Sequence, residues 1–108
     1  DFTFVDDAVD AFLLAGASDA AVGKVFNLGG ERVVSLKALA DLLIEANGGV
    51  GEYIVREYPA DRKKIDIGDY YSDCRLIARK LGWKPRTTIK QALAQTVAYY
   101  RRELLYYI

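Results

Sequence analysis

Residues 58–86 read YPADRKKIDIGDYYSDCRLIARKLGWKPR, and the division of the chain follows from them. Pro59 closes residues 53–57 (YIVRE), whose alternation of apolar and polar side chains predicts a short strand. Residues 60–69 are polar, charged and broken by Gly68, which predicts an ordered loop. Asp73 offers a cap to a helix that runs to Leu81, and Gly82 supplies the left-handed residue that ends it. Trp83 falls one residue later, where an apolar side chain folds back onto the helix.

Beyond this stretch the patterns continue in both directions. Thr87 or Thr88 starts a last helix, on which Ile89, Ala92, Leu93, Thr96, Val97, Tyr100 and Leu104 form one apolar stripe. Upstream, Ser35 offers an N-cap to a helix with Leu36, Leu39, Leu43 and Ala46 on its buried face, stopped by Asn47-Gly48-Gly49. Residues 24–28 (KVFNL) read as a strand ending at the Gly29-Gly30 turn, and Val33-Val34 as a short extended piece. After an extended start, Val5, Ala8, Val9, Phe12 and Leu13 define one face of a helix over residues 5–15. Asp6 and Asp7 stand where acids favour its N-terminus. Leu14 and Ala15 carry the apolar surface further round, so this helix reads as covered on more than one side. The expected class is α/β or α+β, with about four helices, a few short strands and one domain over residues 1–108.

Composition narrows the functions available. Fifty-two per cent of the 108 residues are apolar, and fifteen basic residues balance fifteen acidic ones. A chain of this length buries roughly 60–70% of its unfolded surface, enough for a modest core. Zero net charge argues against a dedicated nucleic-acid binder or a binder of anionic membranes. The single Cys74 and the lack of histidine exclude an internal disulfide and the common zinc spacings. The longest apolar run, residues 11–17, is too short to cross a bilayer, so the cytoplasm is the default location. The chain has no methionine and opens directly on Asp-Phe-Thr-Phe, which reads as a fragment of a longer protein.

Catalytic constellations are absent: there is no histidine for a triad and no Gly-x-Ser-x-Gly elbow. The glycine pairs at 29–30 and 48–49 make neither a Gly-x-Gly-x-x-Gly turn nor a Walker loop. Asp66 and Asp69 read as solvated loop acids. On the residues alone, 58–86 is a solvated basic loop followed by an amphipathic helix. A functional reading stands beside it. Arg62, Lys63 and Lys64 cluster near Asp66, and cationic donors suit phosphate while a carboxylate suits sugar hydroxyls.

The order of segments resembles the extended short-chain dehydrogenase/reductases that act on nucleotide sugars. DFTFVDDAVDAFLLA is similar to the family's Arg-Asp-Phe-x-x-Val-x-Asp segment, and VGKVFNLGG to its Tyr/Phe-Asn-Leu-Gly strand and turn. SLKALADLLIEANG resembles the Ser-Leu-x-x-Leu-Ala helix. RKKIDIGDYYSD, LGWKP and IKQALAQTVAYYR then match the family's tail in order. The closest flavour is that of UDP-sugar 4-epimerases, with 4,6-dehydratases next.

The resemblance implies an isomerase or dehydratase of nucleoside-diphosphate sugars whose Rossmann domain holds NAD and whose Tyr-x-x-x-Lys pair moves the proton. This chain would be the C-terminal, substrate-side part, lacking the main cofactor-binding sheet and inactive without it. It would hold no cofactor, metal or catalytic residue of its own. By the same resemblance Lys63, with Arg62 beside it, takes the place of the phosphate-binding basic residue, and Asp66 that of the ribose-contacting acid. Residues 2–5 would lie near the pocket wall. The family's other diphosphate arginine would fall immediately before Asp1. The nearest approaches to Tyr-x-x-x-Lys, Tyr58 with Arg62 and Tyr71 with Arg75, lack the lysine.

Other conspicuous side chains read as structural. Asn27 suits a turn, Trp83 a helix end, and Tyr99, Tyr100, Tyr106 and Tyr107 an amphipathic last helix. Asp73 beside Cys74 would raise the thiol pKa. Two further readings stand: a non-catalytic interaction module that forms homo-oligomers, such as a dimer, through the apolar helix 5–15, and a nucleotide- or RNA-binding domain using residues 62–64 and the tyrosines.

Overall fold

Local capping determines most of the observed elements. In the computed structural model, which describes all 108 residues, five α-helices form: α1 (Val5–Gly16), α2 (Leu36–Ala46), α3 (Ala60–Lys63), α4 (Arg75–Leu81) and α5 (Ile89–Glu103). Short 3-10 turns occupy Asp19–Ala21 and Leu104–Tyr106. Ser35 caps α2 by accepting the Ala38 N–H. Thr88, not Thr87, caps α5, in a reciprocal box with Gln91. The end of α2 is a Schellman motif: the Gly48 N–H donates to Glu45 and the Gly49 N–H to Ile44, with both glycines at positive φ. Gly82, at φ 69°, ends α4 in the left-handed conformation expected of it.

The strands expected at residues 24–28, 33–34 and 53–57 do not form. A strand exists only as a member of a ladder, and the backbone of residues 25–28, 33–34 and 51–58 bonds to no other backbone segment. Strand-like composition is present there, but no partner lies beside it. The expected loop at 60–69 instead contains the single turn α3, which raises the helix count to five. Leu36, expected on the buried face of α2, is 76% exposed. Leu39 and Leu43 are the residues of that expected face that line the grooves between α2 and α5.

Two packing units result. In the first, Ala11 of α1, Ile77 of α4 and Trp83 form the buried cluster, flanked by Phe26, Leu28, Cys74 and Leu81. In the second, α2 lies along α5, tied by Lys90 to Glu45 at 2.8 Å and by Arg101 to the side chain of Asn47 at 2.8 Å. Asp7 joins the units. Read from sequence as a first-turn acid, it is only 4% exposed, and its carboxylate accepts from the Arg86 N–H, the Thr87 N–H and the Thr87 hydroxyl at 3.1–3.2 Å. Its carbonyl also accepts the Trp83 indole N–H at 2.9 Å.

Only six residues are buried, and the radius of gyration is 16.9 Å. A compact domain of this length has about 13 Å. The excess reflects apolar surface that packs against nothing in the chain. On α1, Val5, Phe12 and Leu13 are all more than 60% exposed.

Candidate functional site

Residues 50–71 form an arm in which every residue is exposed. Pro59 starts α3, and the Lys63 N–H returns to the Pro59 carbonyl at 2.9 Å. The turn then extends past its end, because the Ile65 and Asp66 N–H groups both donate to the Arg62 carbonyl. Asp66 closes a second, tighter turn by accepting the Gly68 N–H at 3.3 Å, and Gly68 takes a φ of +71°.

This folding places Arg62, Lys63 and Asp66 on two consecutive turns, with Arg62 and Asp66 one helical turn apart. None of the three takes part in an ion pair. The four that form are Lys37–Asp41, Arg75–Asp73, Lys90–Glu45 and Arg102–Glu103. Two cations therefore stand in water outside any ion pair, beside a carboxylate whose only bond is the one to the Gly68 N–H, chemistry suited to a phosphate and a hydroxyl pair.

Concave surfaces lie elsewhere. A groove between the C-terminal halves of α2 and α5 is lined by Leu43, Ile44, Val97 and Tyr100. A smaller one places Phe2, Thr3 and Phe4 opposite Arg32, Leu39 and Leu93. Arg62, Lys63 and Asp66 line neither groove.

The remaining titratable clusters have identifiable structural tasks. Arg75 is held by Asp73 at 2.6 Å. The Arg75 guanidinium and N–H together hold the Asp73 carboxyl down to about 2. Burial, and then Asp73, push the Cys74 thiol up, away from the nucleophilic thiolate. Asp41 accepts the Tyr53 hydroxyl at 2.6 Å and the Lys37 ammonium at 2.9 Å; these two donors, Tyr53 foremost, hold its pKa below the usual value. No group of three or more His, Cys, Asp or Glu side chains is placed to hold a metal ion.

The tasks of two carboxylates escaped the sequence reading. Asp1 accepts the Gly30 N–H through one oxygen and the Ser72 N–H through the other, both at 2.8 Å. Gly30 is required there, because a Cβ would overlap the Phe2 carbonyl oxygen. Asp7 is the second. No local pattern marked either task, because their partners, far along the chain, carry no periodicity.

Neither a family model nor a solved structure matches the chain. Individual proteins do. A dTDP-glucose 4,6-dehydratase of Streptomyces griseus is 40% identical over 80 residues, covering 74% of this chain and 24% of its own length. A UDP-D-apiose/UDP-D-xylose synthase of Oryza sativa subsp. japonica is 30% identical over 91% of the chain and 27% of its own length. A UDP-glucose 4-epimerase of Mycolicibacterium smegmatis is 32% identical over 95% of the chain and 31% of its own length. The chain therefore spans about a quarter to a third of these relatives.

Proposed function

This chain belongs to the extended short-chain dehydrogenase/reductase family as a homologue of its C-terminal part, and we propose that it is the substrate-recognition portion of a nucleotide-sugar epimerase or dehydratase. The observation that carries the reading is the exposed arm, where Arg62, Lys63 and Asp66 share two turns and enter no ion pair. In this reading Lys63 and Arg62 neutralise the diphosphate, and Asp66 accepts from the ribose hydroxyls.

The residues present do not fit a nicotinamide dinucleotide. The Gly30 N–H is already taken by Asp1, neither glycine pair makes a phosphate turn, and no Tyr-x-x-x-Lys pair is present. NAD would accordingly be bound by a Rossmann domain elsewhere in the protein, and this chain alone would be inactive. Residues 24–28 would enter that domain's sheet, giving the whole an α/β architecture, and the uncovered face of α1 would pack beside it. Val5, Phe12 and Leu13 also support a second reading, a module that self-associates through α1.

Titration calorimetry with UDP and with uridine tests the first reading. UDP should bind and uridine should bind at least about tenfold more weakly, since charge-assisted phosphate contacts are worth about 1.5–3 kcal/mol each. Lys63→Ala should remove most of that difference. Equal affinity for UDP and uridine, or none for either, would refute it.

A further inference from the structure

No hydrogen bond leaves the arm between Tyr53 and Tyr70, so its placement depends on its two ends. Each end is fastened by a carboxylate that uses both oxygens. At the first, Asp41 on α2 takes the Tyr53 hydroxyl on one oxygen at 2.6 Å and Lys37 on the other at 2.9 Å. Lys37 also lies over the Tyr53 ring, 5.8 Å from its centroid. At the second, Asp1 takes the Ser72 N–H on one oxygen and the Gly30 N–H on the other. The Asp1 nitrogen adds a longer bond to the Tyr70 carbonyl at 3.4 Å.

Neither fastening has the character of a stability element. Lys37, Asp41, Tyr53 and Asp1 are all exposed, and exposed ion pairs and hydrogen bonds contribute little to global folding. Their consequence is geometric. A segment with no buried side chain has nothing else to restrict its conformations, and any it loses on binding a ligand subtract from affinity.

We propose that Asp1 and Asp41 are positioning residues that fix the two ends of the arm and so set how Arg62, Lys63 and Asp66 meet a nucleoside diphosphate. The proposal rests on the nucleotide reading of that arm. Asp1 joins it to the Gly29-Gly30 turn, and Asp41 joins it to α2.

The test uses Tyr53→Phe, which removes the hydroxyl and keeps the ring, Asp1→Asn, which replaces one acceptor oxygen by an amide, and the double variant. Three quantities are measured: UDP affinity by calorimetry, the heteronuclear 15N NOE of residues 60–68, and denaturant unfolding followed by Trp83 fluorescence. The expected result for the double variant is a UDP affinity weakened about tenfold, the size of one lost ordering contribution. The NOE should fall across 60–68 while the Trp83 transition of Tyr53→Phe stays that of the wild type. Wild-type affinity despite a fallen NOE would overturn the proposal, as would an unchanged NOE in the double variant. Should the wild type take up no UDP, the nucleotide reading fails and positioning for a nucleotide fails with it. The NOE then separately decides whether Asp1 and Asp41 anchor the arm.

Discussion

At the scale of single residues, the fold depends on carboxylates acting as long-range crosslinks. Asp7 satisfies two backbone N–H groups and a hydroxyl at the start of α5, and none of these has another partner. Asp7→Ala would leave partly buried donors unpaired, at about 1–3 kcal/mol for each. The variant should lose about 2–4 kcal/mol in urea unfolding; a loss below about 0.5 kcal/mol, the range of ordinary surface changes, would contradict the assignment. Sequence reading placed Asp7 correctly on the first turn of α1 and still missed its task. Helical periodicity reports a residue's neighbours three and four positions away, whereas its partners here are Arg86 and Thr87. Trp83 was legible in part: Ile77, on the helix before it, is a local partner, whereas Ala11 and the Asp7 carbonyl that takes its indole N–H lie far along the chain. Asp73 supplies a pH test. Its folded carboxyl is held at about 2, below the ordinary 3.8, by Arg75. A depressed folded pKa contributes stability that is present above about pH 4 and lost as pH falls towards 2. A 13C titration of the Asp73 carboxyl should therefore have its midpoint near 2, and a midpoint near 4 would show the Arg75 contact to be absent in solution.

At the scale of elements, the caps of α2 and α5 were legible; the start of α4 was not, since Cys74 and not the expected Asp73 is its N-cap, and neither were the strands. Thr88 and Gln91 form a reciprocal box that the sequence shows as Thr-x-x-Gln ahead of an apolar stripe. Thr88→Ala should cost about 1 kcal/mol, measured by thermal or urea unfolding, whereas Thr87→Ala would act through Asp7 instead. Gly82→Ala, at φ 69°, should cost about 1 kcal/mol by forcing a Cβ into the left-handed region. A neutral result would mean that α4 ends differently. Residues 24–28 and 53–57 show why strand composition is a weaker guide. Their composition describes a surface fit for a sheet, but pairing is supplied by another segment, and within this chain none is present. The α3 turn was hidden for the opposite reason. Its four residues, ADRK, are too few for any period to show, and Pro59 sets it up locally.

At the scale of the whole molecule, the chain is open, with Val5, Phe12 and Leu13 on one uncovered face of α1. That the first helix is apolar on too many sides was visible in sequence; that so few residues are buried was not, because burial depends on how elements meet. A contiguous uncovered apolar face favours association. Sedimentation should show weight-average mass rising with protein concentration, and a concentration-independent, fully folded monomer would count against that inference. The placement of Arg62, Lys63 and Asp66 on one exposed arm gives the most direct test of the nucleotide reading. In a 15N-labelled sample titrated with UDP, amide shifts confined to residues 60–70 are the predicted result. No shifts, or shifts centred on the groove between α2 and α5, would contradict it.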